Sequence, residues 1–103
     1  VRSSGMTAPN LPRAFDLTGR VALVTGSTSG IGKGIAFQLA ALGASVIVSG
    51  RSEARGGEVV DAIAGNGGRA AFFACDLTDE ADCRSLVERA VQQFGRLDVL
   101  VNN

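Results

Sequence analysis

Short apolar runs alternate along this chain with segments whose apolar residues follow helical spacing. The first apolar run, 20–24, has the length and composition of a buried strand. After a glycine-rich stretch, apolar residues recur at helical spacing, at Ile31, Ile35, Leu39 and Leu42. Gly43 follows this stripe and is typical of the residue just past a helix end. The pattern therefore predicts a strand followed by a helix.

The rest of the chain repeats this alternation. Apolar runs at 44–49, 70–75 and 97–101 predict three further strands. A helix capped by Ser52 is predicted to run to about Ala64, and another from about Asp79 to Phe94, with Gly95 ending it. The residues predicted to face inward on these helices are Val59, Val60, Ile63, Leu86, Val87, Ala90, Val91 and Phe94. Gly56 and Gly57 are expected to weaken the first half of the earlier helix. Strict alternation of strands and helices predicts an α/β fold with a parallel sheet and right-handed crossovers.

A glycine-rich turn joins the first strand to the first helix. Amide groups at a helix N-terminus lack intrahelical partners and carry partial positive charge, so such a turn suits a phosphate. Gly32 and Gly34 fall in the first helical turn, where each costs about 1 kcal/mol relative to alanine. That cost is understandable if another group must approach the backbone. The turn is not a P-loop, because Ser27 replaces the first glycine and Gly34 replaces the final Ser or Thr.

The sequence of this turn is Thr25-Gly26-Ser27-Thr28-Ser29-Gly30-Ile31-Gly32. It resembles, without mismatch, the T-G-x-x-x-G-I-G cofactor motif of the short-chain dehydrogenase/reductase family. The resemblance implies a Rossmann-type doubly wound parallel sheet with strand order 3-2-1-4. It implies that the chain is the N-terminal, cofactor-binding half of a larger single domain. It also implies a set of cofactor-binding residues in the turn: Gly26, Ser27, Thr28, Ser29, Gly30, Ile31 and Gly32.

The end of the second strand is where the adenosine ribose of a dinucleotide is expected. The family position that is often Asp in NAD-dependent members falls on Gly50, and the next residue is Arg51. A guanidinium pairs well with a phosphate, so we expect NADP(H), with hydroxyls of 27–29 as possible further 2′-phosphate ligands. Two alternatives stay open. Glu53 could bind the ribose of NAD, or Arg51 could be an ordinary solvated charge.

Three later residues complete the expected cofactor site. By resemblance, Asp76 accepts a hydrogen bond from the adenine amino group, and Leu77 contributes its backbone. The alternative for Asp76 is a cap of the following helix, because Asp is a favoured cap residue. Asn102-Asn103 resembles the start of the family's N-N-A-G signature, and it follows a strand similar to the family's L-D-[VI]-L-V. Asn103 is therefore expected beneath the cofactor.

The catalytic residues of the family are not among these 103 residues. The chain has neither Tyr nor His, and Lys33 is its only lysine. The family's catalytic Ser, Tyr-x-x-x-Lys pair and Asn would have to lie elsewhere in a longer protein. The resemblance implies hydride transfer between nicotinamide and a ketone or secondary alcohol, as in 3-oxoacyl reductases or 3-hydroxybutyrate dehydrogenases. The alternative is a non-catalytic nucleotide-binding module with the same fold.

Composition narrows the remaining possibilities. Ten basic and ten acidic residues balance, and without a basic run a nucleic-acid partner is disfavoured. No apolar stretch approaches the roughly 18 residues of a membrane-spanning helix, so no membrane partner is expected. Cys75 and Cys83 are too few for a disulfide framework or a metal site and read as cytoplasmic free thiols.

The N-terminal residues are predicted to lie outside the domain. Val1–Gly5 precede Met6 and read as an expression-vector scar, and the following residues contain both prolines. We expect 1–18 to be scar and arm, and 19–103 to be the N-terminal part of the dinucleotide-binding domain. The resembled family forms its subunit interface from later helices, so a homotetramer or homodimer is expected for the full-length protein.

Overall fold

The computed structural model describes residues 16–103 and contains four strands and three helices in alternation. The elements are β1 (Val21–Val24), α1 (Gly30–Ala41), β2 (Ser45–Gly50), α2 (Glu53–Gly65), β3 (Arg69–Ala74), α3 (Glu80–Phe94) and β4 (Val99–Val101). All strand pairs are parallel, and the sheet order is β3-β2-β1-β4. The predicted fold class and strand order are both confirmed.

Helices cover both faces of the sheet because neighbouring residues of a strand point to opposite sides. In β1, Ala22 and Val24 join a core cluster with residues of α1 and α2. Val21 and Leu23 face the other way, into a second cluster with Leu86 of α3. The continuous apolar composition of β1 thus reflects burial on both faces, as expected for a central parallel strand.

Helix α2 begins as predicted, and the structure explains one of its two glycines. The Ser52 hydroxyl accepts a hydrogen bond from the Arg55 amide at 3.2 Å, so Ser52 is the N-cap. A Cβ on Gly56 would lie 2.1 Å from the Phe72 ring of β3, whereas one on Gly57 would meet no described atom within 4 Å. Gly56 therefore allows α2 to pack closely on β3, and Gly57 has no such role.

Helix α3 also has defined ends. The Asp79 carboxylate accepts hydrogen bonds from the amides of Ala81 and Asp82, and Gly95 ends the helix in the left-handed conformation at φ 80°. Val91 was predicted to face inward, but its side chain is 45% exposed. That prediction is wrong because α3 buries only a narrow stripe centred on Leu86 and Ala90.

All four strands differ by one or two residues from the predicted ranges, and the two differences at β3 and β4 concern residues with contacts of their own. Strand β3 ends at Ala74, so Cys75 follows the strand, although its amide still donates to the Gly50 carbonyl at 2.9 Å. Strand β4 begins at Val99, and the preceding residue, Asp98, already contacts β1, because its amide donates to the Val21 carbonyl at 2.9 Å. The Asp98 carboxylate accepts from the Val21 amide at 2.8 Å and pairs with Arg96 at 2.7 Å. Asp98 therefore fastens the start of β4 to β1.

Residues 16–18 belong with the folded unit. The Leu17 amide donates to the Leu42 carbonyl at 2.8 Å, and its side chain packs against the first core cluster. Thr18 lies against Gly43, the residue that follows the α1 C-cap, as predicted for Gly43. The predicted vector scar and most of the predicted arm fall on residues 1–15, which lie outside the described residues.

Candidate functional site

The candidate site lies where the carboxyl ends of the four parallel strands meet. The sheet order reverses between β1 and β4, and such a switch point is where α/β proteins place a ligand crevice. The glycine turn leaves β1 at this point and leads into α1. Gly26 and Gly30 have φ values of 62° and 60°, a left-handed conformation that favours glycine at both positions.

Ser27 fixes the turn to the sheet. Its side chain is fully buried, its hydroxyl donates to the Val24 carbonyl at 2.7 Å, and it accepts from the Ser49 amide at 2.9 Å. The Ser27 amide donates to the Ser49 carbonyl at 3.0 Å. The structure thus gives the Ser27 hydroxyl a structural role within the turn and does not leave it available to a 2′-phosphate.

Gly32 and Asn103 hold the other side of the turn. A Cβ on Gly32 would lie 2.4 Å from the Gly26 carbonyl oxygen and 2.7 Å from the Asn103 amide nitrogen. That amide nitrogen donates to the Gly26 carbonyl at 3.3 Å, and the Asn103 backbone amide donates to the Thr25 hydroxyl at 3.0 Å. The protein's own packing therefore explains Gly32. The side chain of Asn103 lies on the turn, where it can support a ligand from beneath.

Thr25 is a structural residue of the site to which the sequence analysis assigned no role. Its hydroxyl donates to the Val101 carbonyl at 3.2 Å and accepts from Asn103, so it joins the ends of β1 and β4. The signal was present, since Thr25 opens the matched motif. Its role depends on a contact between residues far apart in sequence, which the motif alone does not reveal.

Of the remaining turn residues, Thr28 is half-buried, whereas Ser29, Gly30 and Ile31 face outward. Ser29 is the N-terminal boundary residue of α1, but its side chain makes no capping hydrogen bond, in contrast to Ser52 and Asp79. An added Cβ on Gly30 would meet no atom of residues 16–103 within 4 Å. Ile31 follows the apolar spacing of α1 but is 77% exposed at the start of the helix. The first turn of α1 therefore presents open backbone at the carboxyl edge of the sheet.

Arg51 and Asp76 meet at the ends of β2 and β3. Their side chains form an ion pair at 3.5 Å and are 72% and 44% exposed. The Asp76 carboxylate also accepts from the Thr78 hydroxyl at 2.7 Å and from the Thr78 amide at 3.0 Å. The hydrogen bonds from Thr78, together with the charge of Arg51, lower the pKa of Asp76. The structure gives the α3 cap to Asp79, so the capping interpretation of Asp76 is wrong.

Leu77 borders the glycine turn, with its Cδ1 atom 3.8 Å from the place that a Cβ on Gly26 would occupy.

Cys75 and Cys83 are free thiols, the first of them buried. Burial, with a smaller effect of the neighbouring Cys83, raises the pKa of Cys75 to about 11. Cys75 is therefore a protonated thiol at neutral pH and is not accessible as an acid or base.

Comparison with known proteins places this arrangement in a family. The family model described as short chain dehydrogenase matches residues 20–103. The chain is 52% identical over 88 residues to an uncharacterized oxidoreductase of Methylorubrum extorquens, covering 84% of this chain and 36% of that protein. It is 46% identical over 87 residues to D-beta-hydroxybutyrate dehydrogenase of Cupriavidus necator, covering 84% of this chain and 34% of that protein.

A solved structure shows the same fold. Hydroxysteroid dehydrogenase from Escherichia coli superposes with a TM-score of 0.83 at 42% sequence identity, covering 86% of this chain and 38% of that one. The chain therefore spans about a third of the length of these relatives. Within residues 16–103, no helix is long and apolar enough to cross a membrane, and no group of His, Cys, Asp or Glu could hold a metal ion.

Proposed function

Because this chain belongs to the short-chain dehydrogenase family, we propose that its full-length protein is an NADP(H)-dependent oxidoreductase whose cofactor is held by the residues described here. The bound cofactor exchanges a hydride with a ketone or secondary alcohol. The proton donor, by resemblance a Tyr activated by a Lys, must come from further residues, because these 103 contain no Tyr. This part of the protein binds and orients the cofactor.

The first turn of α1 fits the cofactor's pyrophosphate. Its amides have no side-chain cap, and Gly30 leaves open space in front of them. Unpaired amides at a helix N-terminus bind phosphate through direct hydrogen bonds and through the helix dipole. Gly26 and Asn103 support the turn from behind, so the phosphate side of the loop is held in a fixed shape.

Arg51 carries the proposal that the cofactor is NADP(H). It follows the last residue of β2, is largely exposed, and stands beside Gly50, which has no carboxylate to bind a free ribose. The ion pair with Asp76 leaves N–H donors of Arg51 available to a phosphate, because a guanidinium has five such donors and an exposed ion pair is weak. We propose that Arg51 binds the 2′-phosphate while Asp76 orients it. Glu53, exposed at the start of α2, is the residue that would favour NAD instead.

Asp76 and Leu77 are proposed to receive the adenine. The Asp76 carboxylate is anchored by Thr78 and remains 44% exposed, so one oxygen can accept from the exocyclic amino group. Leu77 lies between this carboxylate and the glycine turn. The two residues thus border a surface that runs from the proposed phosphate site to the proposed ribose site.

The named relatives act on hydroxybutyrate and hydroxysteroid substrates, which are secondary alcohols in both cases. We propose a small carbonyl compound or secondary alcohol as the substrate, in the manner of 3-oxoacyl reductases or 3-hydroxybutyrate dehydrogenases. We further propose a cytoplasmic homotetramer or homodimer. The alternative function is that of a non-catalytic nucleotide-binding protein. Such a protein would bind the cofactor but would not oxidise NADPH with any ketone of a test panel.

The test is a titration of NADP⁺ and NAD⁺ into the full-length protein and its Arg51→Ala variant. A charge-assisted hydrogen bond contributes about 1.5–3 kcal/mol, so NADP⁺ affinity should fall about 10- to 100-fold while NAD⁺ affinity is unchanged. Arg69→Ala is the control, because Arg69 is an exposed arginine at the start of β3, away from the carboxyl ends of the strands where the proposed site lies. Equal affinities for both cofactors in the wild type, or an Arg51→Ala variant with unchanged preference, would assign the choice to Glu53 or another group.

A further inference from the structure

Gly50, the buried last residue of β2, is in contact with the glycine turn. A Cβ at position 50 would lie 2.8 Å from Cγ2 of Thr28, 3.2 Å from its Oγ1 and 3.6 Å from its Cβ. The first of these distances is shorter than carbon atoms tolerate. The absence of a side chain at position 50 is therefore matched to the particular side chain at position 28.

Rotation of Thr28 cannot move both of its heavy atoms away from the place for a Cβ at residue 50. A threonine Cβ carries two heavy atoms, and these fill two of its three staggered positions in every rotamer. Both positions now filled lie within 3.2 Å of the place for a Cβ at residue 50. Any other rotamer therefore leaves at least one heavy atom there. A serine has a single heavy atom on its Cβ and can turn it into the third position, which the threonine leaves unfilled.

We infer that Thr28 is a specificity-determining residue that acts through Gly50. It excludes any side chain at the end of β2, and with it the carboxylate that would bind a free ribose and repel a 2′-phosphate. This inference rests on the proposed NADP(H) function. It adds that cofactor preference depends on residues 28 and 50 together, so that an acidic residue at position 50 is accommodated only when position 28 loses its branched side chain.

The test compares serine and valine at position 28 in the full-length protein. Valine keeps the branched shape of threonine without its hydroxyl, whereas serine keeps the hydroxyl without the branch. Melting temperatures without nucleotide and dissociation constants for NADP⁺ and NAD⁺ are measured for Gly50→Asp alone and combined with Thr28→Ser or Thr28→Val. If Gly50→Asp does not fold, Gly50→Ala provides the smallest Cβ on the same three backgrounds.

Gly50→Asp should melt well below the wild type, Thr28→Ser should restore most of the loss, and Thr28→Val should restore none. The Thr28→Ser/Gly50→Asp protein should bind NADP⁺ at least tenfold more weakly than the wild type and should prefer NAD⁺. The inference is overturned if Gly50→Asp alone is as stable as the wild type, or if the serine and valine backgrounds give equal melting temperatures. A wild type without preference for NADP⁺ would refute the proposed cofactor instead, and the nucleotide-free melting temperatures would still decide the steric claim.

Discussion

Replacing Gly30 by alanine tests whether the glycine turn receives the cofactor's phosphates. Gly30 has φ 60°, so a side chain there costs backbone strain of about 1–2 kcal/mol, even though no described atom lies near the added methyl group. Strain alone could distort the turn and weaken binding. A control with the same strain at a distant position is therefore needed.

Gly67 provides this control. It also has a left-handed φ, 85°, and open space around an added Cβ, but it lies between α2 and β3 at the opposite edge of the sheet. Gly30→Ala and Gly67→Ala should each lower the free energy of unfolding by about 1–2 kcal/mol. The effect on NADP⁺ should separate them, since only the Gly30 methyl group occupies the space in front of the α1 amides.

Loss of one charge-assisted hydrogen bond between an amide and a phosphate corresponds to about 1.5–3 kcal/mol, which is a dissociation constant about 10- to 100-fold larger. Urea unfolding and titration calorimetry on the full-length proteins measure the two quantities separately. The reasoning is refuted if Gly30→Ala binds NADP⁺ like the wild type, or if Gly67→Ala weakens binding to the same extent.

Two further predictions concern stability and are measured by denaturant unfolding and by melting temperature. Gly57→Ala should stabilise the protein by about 1 kcal/mol because it adds a helix-favouring residue in open space, whereas Gly56→Ala should destabilise it by about 1–3 kcal/mol through overlap with Phe72. Equal effects of the two substitutions would contradict the packing of α2 on β3. The hydrogen bond from Arg96, with other donors, lowers the pKa of Asp98 to about 2, so its contribution to stability is present above about pH 4 and is lost as the pH falls toward 2. Asp98→Asn should therefore lower the melting temperature more at pH 7 than at pH 3, and a pH-independent difference would contradict this role.

The sequence was sufficient to predict the order of elements because each element has a strong local signal. The apolar runs, the Ser52 cap and the helix end at Gly95 each act within a few residues, and the structure confirms them. The error at Val91 has a physical origin. Helical periodicity shows which residues share a face, but how wide a stripe is buried depends on what packs against the helix.

The candidate site was less predictable because its contacts join residues far apart in the chain. The motif identified the glycines of the turn but not their separate roles. It did not distinguish Gly32, which packs against Asn103, from Gly30, which faces open space. The burial of the Ser27 hydroxyl against the end of β2 is equally invisible in the local sequence. The Arg51–Asp76 pair depends on the adjacency of β2 and β3, which follows from the topology but not from either residue's neighbours.

The positions of the turn thus fall into two kinds with different physical roles. Ser27 and Gly32 face the protein, and their replacement should disturb the shape of the turn whether or not a cofactor is bound. Ser29 and Gly30 face outward, so a side chain added or changed there meets a ligand rather than the protein, apart from the backbone strain at Gly30. Since Asn103 supports the turn from the end of β4, the geometry of the proposed phosphate site depends on the pairing of β4 with β1. A substitution that loosens β4 should therefore weaken cofactor binding without touching any residue that faces the cofactor.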